Sequence, residues 1–239
     1  EKKLRHKLGM RALEVIMSDI NMRSRGLVDN LQEFNFHILG CGAIGSATAL
    51  QLVRMGAVNF CLYDNDKVDT GNIGVSQYTH YDIGNLKVDA LKADIEEINI
   101  DADVMCDDRM FKNYIYLNNN DIIVLGFDSM KSRLDAVKAI MKWSHSKPYA
   151  LIDGRMGAEH YQQYTLLNPT LKKYKDIWYA DEEGSEEPCN MKATSYCSNM
   201  SGSFIANAIR KVATKQPYEK FISFHFPTMT IEKSSCLFK

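Results

Sequence analysis

Gly40-Cys41-Gly42-Ala43-Ile44-Gly45 follows directly on the apolar run Phe36-His37-Ile38-Leu39 and opens a helical pattern that runs from about 44 to 56. Glycines at this spacing permit a tight turn and let backbone N–H groups approach a ligand, while the helix that follows directs its first amides at an anion. The segment therefore predicts a strand, a phosphate-facing turn and a helix in immediate succession. The alternation continues through Val58-Asn59-Phe60-Cys61-Leu62-Tyr63, Ala102-Asp103-Val104-Met105-Cys106, Ile122-Ile123-Val124-Leu125 and Tyr149-Ala150-Leu151-Ile152, with helical segments at about 86–99 and 129–144. Repeated strand–helix units make right-handed crossovers and a mostly parallel sheet with helices on both faces, with ligands at the carboxyl ends of the strands. The expected fold class is α/β: a Rossmann-like, doubly wound, mostly parallel sheet.

After Asp153 the pattern changes. Tyr161 to Leu167 alternates like an antiparallel strand, 181–190 is polar and acidic with Gly184 and Pro188 and reads as a mobile loop, and a helix is expected from about Ser198 to Ala213. Phe221 to Phe226 and Met229 to Ile231 complete a C-terminal antiparallel extension, and Leu4, Leu8, Leu13, Ile16 and Ile20 recur at helical spacing near the start. The organisation expected is an N-terminal helical arm (1–33), a Rossmann-like nucleotide-binding half (34–160) and a partner-binding half with a crossover loop and C-terminal strands (161–239).

Lysine and arginine number 29 against 30 aspartates and glutamates, so no general attraction to nucleic acid or an acidic membrane is expected and any phosphate site must be local. No apolar run reaches the length that crosses a bilayer, and the start lacks a signal peptide's apolar stretch; the expectation is a cytoplasmic protein. The six cysteines are scattered without a Cys-x-x-Cys pair, so neither a disulfide framework nor zinc is expected.

Asp64 ends the strand after the glycine turn, where a carboxylate accepts hydrogen bonds from ribose hydroxyls. Alone, turn and acid would suit an NAD-dependent oxidoreductase, or a turn that merely packs helix on strand. The residues beyond point elsewhere: Asp64-Asn65-Asp66, then Asn72, Gln77, Asp82-Ile83-Gly84 and Lys87, and later Gly126-Phe127-Asp128 followed by Arg133. In order and spacing, over about residues 36–140, this resembles the ThiF/MoeB family, the bacterial relatives of ubiquitin-activating enzymes. The resemblance implies an ATP-dependent adenylyltransferase that activates the C-terminal carboxylate of a ubiquitin-like or sulfur-carrier protein or peptide, and that works as a homodimer. It implies that Gly40, Gly42, Ala43 and Gly45 surround the nucleotide, that Asp64 holds the ribose, and that Asn72 and Lys87 meet the phosphates. Asp66, Gln77 and Arg133 complete the implied nucleotide set, and Asp128 is the implied magnesium ligand. These roles suit the residue types, since lysine offers a point charge to a triphosphate and magnesium prefers hard carboxylate oxygens.

The chain departs from the family at Asn72-Ile73-Gly74-Val75-Ser76-Gln77, which is one residue longer than the family's segment and lacks its phosphate-contacting arginine. Arg155, in Asp153-Gly154-Arg155-Met156-Gly157, is a candidate replacement at the carboxyl edge of the sheet; a structural pairing with Asp153 or Glu159 is the alternative. Arg23 and Arg25 fall where the family has an arginine that reaches the triphosphate, often across a dimer interface, and solvated helix-end arginines are the alternative. Cys189 lies where relatives that form a thioester place their cysteine. Its acidic neighbours raise a thiol's pKa and leave an incidental cysteine as the other reading. The missing arginine also leaves open a catalytically inactive scaffold of the same fold.

Overall fold

The computed structural model describes residues 20, 22–24, 26–109, 111, 117–143, 146–181 and 193–236. The expected helix of the N-terminal arm, Arg25 and Cys189 lie outside the described residues. In chain order the elements are β1 (Asn35–Leu39), α1 (Ala43–Arg54), β2 (Asn59–Tyr63), α2 (Thr70–Ile73), α3 (Lys87–Ile98), β3 (Asp103–Asp107) and β4 (Asp121–Leu125). There follow α4 (Met130–Trp143), β5 (Ala150–Gly157), β6 (His160–Leu167), α5 (Leu171–Lys175), α6 (Ser195–Ala213), β7 (Tyr218–His225) and β8 (Thr230–Cys236).

Among the described residues the eight strands form one sheet in the order β3-β2-β1-β4-β5-β6-β7-β8. The first five pair in parallel and the last three join antiparallel, so the 34–160 and 161–239 segments share a continuous sheet. Strand order reverses at β1, which lies between β2 and β4. A doubly wound sheet opens its ligand crevice at such a switch point.

Alternation along the strands decides which side chains meet which helices. Phe36, Ile38, Phe60, Leu62, Val104, Ile122, Val124 and Ile152 are buried in one core, together with Leu52, Leu91, Ile205 and Ile209 of α1, α3 and α6. The other face is smaller: Leu39, Ile123, Leu125 and Leu151 pack with Ala136, Val137 and Ile140 of α4 and with Tyr174 of α5.

β5 runs four residues past Asp153, where a strand was expected to have ended. Its parallel pairing to β4 stops at Leu125↔Asp153, but the ladder to β6 continues from Ala150↔Leu167 to Gly157↔His160. The tight hairpin through Ala158, at φ 47°, holds Gly154 to Gly157 extended. Arg155 thereby stands inside a strand.

α6 crosses α1 at Gly202, where an added Cβ would come within 2.7 Å of the Ala47 carbonyl carbon and 2.8 Å of its oxygen. Backbone cannot retreat as a side chain can, so Gly202→Val should lower stability by about 1–3 kcal/mol, the usual cost of overpacking. Ser203→Ala, on the exposed side of the same helix, should stay within about 0.5 kcal/mol. Urea unfolding followed by circular dichroism checks the pair, and equal effects would refute the close crossing.

Candidate functional site

The crevice is formed by the close approach of two backbones. Gly40 has φ 92°, and a Cβ there would stand 2.8 Å from the Gly126 carbonyl carbon and 2.9 Å from Phe127 N. A Cβ on Gly45 would overlap the Gly40 oxygen at 1.9 Å. Gly126 N donates to Leu39 O at 2.7 Å. The chain leaving β4 at Gly126 and Phe127 is thus held against the glycine turn. Gly42 is the N-cap of α1 and has nothing within 4 Å of where a Cβ would be, so this side of the turn is open. Ala43 lies in the first turn, its carbonyl accepting from Ser198 Oγ of α6 at 2.9 Å.

Asp64 closes the turn from the β2 side, with Oδ2 accepting from Cys41 N at 2.7 Å and Oδ1 from Asp66 N at 2.9 Å. Burial raises its pKa, against the opposing pull of those two amides and of Lys87. Lys87 is the first residue of α3 and is buried along its stem, with Nζ 2.8 Å from Asp66 Oδ2. Burial disfavours its ammonium, but the bond to Asp66 and the charges of Asp64 and Asp66 outweigh burial and raise its pKa. The Asp66 side chain is exposed, so the lysine's partner is a surface carboxylate.

Asn72 and Asp69 close a capping box on α2: Asn72 N donates to Asp69 Oδ1 and Asp69 N to Asn72 Oδ1, each at 3.0 Å. Gln77 lies beside α1, its backbone N donating to Ser46 Oγ at 3.2 Å and its Nε2 to Asn199 Oδ1 at 3.1 Å. Asp128 is exposed immediately past β4.

Arg133 and Arg155 have a different setting, for both are buried on Asp153, which has no solvent exposure. Arg133 bonds to Asp153 Oδ1 and to the carbonyls of Leu125 and Phe127. Arg155 makes a two-pronged contact with Asp153 Oδ2, at 3.0 Å from Nε and 2.7 Å from Nη2, and lies between the rings of Tyr164 and Tyr179 at 4.4 and 4.9 Å. Tyr174 donates its hydroxyl to the same carboxylate oxygen at 3.1 Å. Burial opposes the Arg155 charge, yet the Asp153 carboxylate keeps its pKa above the ordinary value. Arg23 is exposed.

Sequence reasoning assigned no part to three residues that shape this region, and too small a part to a fourth. Tyr78, buried directly after Gln77, sends its hydroxyl to Cys41 O and, at 3.2 Å, to Lys87 O. Asn199 orients Gln77. Asp181, at the start of the expected mobile loop, caps α4 by accepting from Met130 N at 2.8 Å and Lys131 N at 3.4 Å. Asp153 entered only as a partner for Arg155 and proves to hold Arg133 as well. Only Tyr78 had a usable signal, an aromatic hydroxyl set in the motif segment itself.

A cavity of about 650 Å³ lies away from the glycine turn, on the face formed by His37, Cys61, Tyr63 and Asp121. Its inner carboxylate is satisfied, since Asp121 accepts from Asn35 Nδ2 and Asn118 N, both at 2.6 Å, and lies 3.3 Å from His37 Nε2.

Residues 15–237 match the family model described as "ThiF family". A ubiquitin-like modifier-activating enzyme 5 from Bombyx mori is 30% identical over 109 residues, 42% of this chain and 28% of that protein. Its Branchiostoma floridae counterpart is 31% identical over 107 residues, 41% of this chain and 26% of that one. The chain thus spans under a third of the length of these relatives. Among solved structures, E. coli MccB with MccA-N7isoASN superposes with a TM-score of 0.69 at 18% identity, covering 87% of this chain and 66% of that one. PaaA gives 0.67 at 15% identity, covering 88% and 67%. At these identities the likeness is one of fold.

Removing one member of a buried charge cluster leaves the others unpaired, at a cost of about 3–5 kcal/mol. Asp153→Ala strands two guanidinium groups and should lower stability by that amount, or by about 6–20 °C in melting temperature. Calorimetry checks it; a loss below about 1 kcal/mol would mean that the cluster is dispensable to the fold.

Proposed function

The chain belongs to the ThiF family, and on that premise we propose that it is an ATP-dependent adenylyltransferase acting on the C-terminal carboxylate of a peptide or ubiquitin-like or sulfur-carrier protein. The observation that carries this reading is the junction of the glycine turn with Asp64, Lys87 and the Asp128-bearing end of β4 at the sheet's switch point. Curated relatives are named for ubiquitin-like modifiers, and a solved protein of this fold was determined with MccA bound. Both support a peptide or protein as the partner.

A carboxylate is ionised at neutral pH, so its attack on the α-phosphorus of ATP needs no general base. The new bond joins carboxylate oxygen to phosphorus, and the bond to the oxygen bridging to the β-phosphate breaks. The products are an acyl adenylate and pyrophosphate. What the protein must supply is position and compensation for charge accumulating on the leaving group. The first amides of α1 face the phosphates, Asp64 holds the ribose, and Lys87 exchanges its exposed Asp66 partner for phosphate oxygen.

Among the described residues no three His, Cys, Asp or Glu side chains gather as a metal cage. Magnesium usually needs only one or two protein carboxylates, with substrate phosphates and water completing its shell, and exposed Asp128 fits that demand. Magnesium held there would neutralise charge on the pyrophosphate. The same proposal includes a homodimer, a cytoplasmic location, and Arg25 and Cys189 as phosphate contact and acyl acceptor. Among the described residues no helix is long and apolar enough to cross a membrane.

Asp128→Ala should cut ATP–pyrophosphate exchange by about 100-fold or more, the scale of deleting a charge-stabilising group, while the melting temperature without nucleotide stays within about 2 °C. Exchange assays with candidate carboxylate partners, run beside melting curves, read both. A wild-type protein stabilised by NAD more than by ATP with magnesium would overturn the assignment. Cys189→Ala should leave exchange unchanged, because adenylation precedes thiol attack, and should abolish a thiol-reducible adduct with the partner. Persistence of the adduct would exclude Cys189 as the acceptor.

A further inference from the structure

Tyr78 is a polar group with a defined geometry against the glycine turn to which no role has yet been given. Its ring is buried, and its hydroxyl approaches two backbone carbonyls, making a short bond to Cys41 O and a longer one of 3.2 Å to Lys87 O. A phenol has one proton, so the short bond is the principal one and Lys87 O shares it. Burial, with the nearby Asp64 carboxylate adding to it, pushes the phenol's pKa up, so it stays protonated and can only donate to a carbonyl.

The carbonyl it grips belongs to the peptide joining Cys41 to Gly42, and there is no cis peptide in the described chain. In a trans peptide the C=O and the next N–H point in opposite directions. With Cys41 O drawn to Tyr78, the Gly42 N–H points away from the Tyr78 hydroxyl, and beside Gly42 itself nothing lies within 4 Å of where a Cβ would stand. On the other flank Cys41 N is held by Asp64. Both peptide planes around Cys41 are therefore set by side chains. Glycine tolerates either sign of φ, so residue 42 offers little resistance of its own to a peptide flip, and a flipped plane would present a carbonyl oxygen to the phosphates.

We propose that Tyr78 is a positioning residue: its hydroxyl locks the Cys41–Gly42 peptide so that the Gly42 amide points at the nucleotide's phosphates. The proposal rests on the reading of the crevice as an ATP site. It also suits a chain whose Asn72 to Gln77 segment lacks the family's arginine, because phosphate binding then leans more on oriented amides.

The test is to titrate ATP and adenosine against wild type and Tyr78→Phe by calorimetry. The variant keeps the ring and removes only the donor. ATP affinity should fall about 10- to 100-fold, the scale of a hydrogen bond to a charged group, while adenosine affinity changes less than about twofold. Equal losses for both ligands would mean general loosening of the site and would overturn the proposal, as would unchanged ATP binding. Wild type that binds neither ligand would instead overturn the ATP reading, and the proposal with it. Should Tyr78→Phe not fold, amide hydrogen exchange in the wild type decides: ATP, and not adenosine, should slow exchange at Gly42, and equal exchange with either ligand would refute the proposal.

Discussion

Asp153 has no solvent exposure and faces two guanidinium groups and a phenol, and the position of the crevice depends on that contact. Arg133, held by Asp153, reaches the carbonyls of Leu125 and Phe127 and so sets the path of the chain leaving β4. Arg155, on the other carboxylate oxygen, donates to Ile177 O at 3.0 Å, four residues before Asp181, which caps α4. One buried carboxylate thus fixes both strands of chain flanking Asp128. Burying this much charge is costly unless every donor is matched, and the matching makes the arrangement selective for one geometry.

The glycine turn works through the opposite means, an absence of side chains. Gly40, Gly45 and Gly126 let β1, α1 and β4 approach to distances a methyl group would forbid. The strand end held from behind by Arg133 is thereby pressed from the front against the turn. Asp64 and Tyr78 then fix the peptides on either side of Cys41. The crevice is a backbone surface with side chains arranged around it to orient its amides.

Much of this was legible in the sequence because it follows from periodicity and spacing. The five parallel strands, the helices beginning near residues 44, 86 and 129, and the antiparallel extension all follow from apolar runs and turn residues. What escaped depends on contacts between distant segments. β5 overran Asp153 because β6 pairs with it. Arg155 lies in the interior because Asp153 and two tyrosines are there to receive it. The capping of α4 by Asp181 joins residues about 50 apart, and no local pattern announces it. Tyr78 escaped for another reason: an aromatic residue in a short segment reads as core, and burial alone does not reveal where its hydroxyl points.

The alternative of a scaffold that has lost its chemistry rests on the missing arginine, and the fate of the remaining cations bears on it. Arg133 and Arg155 both commit their guanidinium groups to Asp153. Lys87 differs from both. Its stem is buried, at an entropic and desolvation cost, yet its ammonium emerges beside an exposed carboxylate instead of an interior one. A lysine needed only for packing could be replaced by an apolar residue, and one needed only for a surface ion pair gains little from burial, since exposed pairs contribute under about 1 kcal/mol. A buried stem that delivers a charge to the mouth of a glycine turn is accounted for by an anion that arrives and leaves. That residue, more than the fold it sits in, argues for a working nucleotide site over a relic.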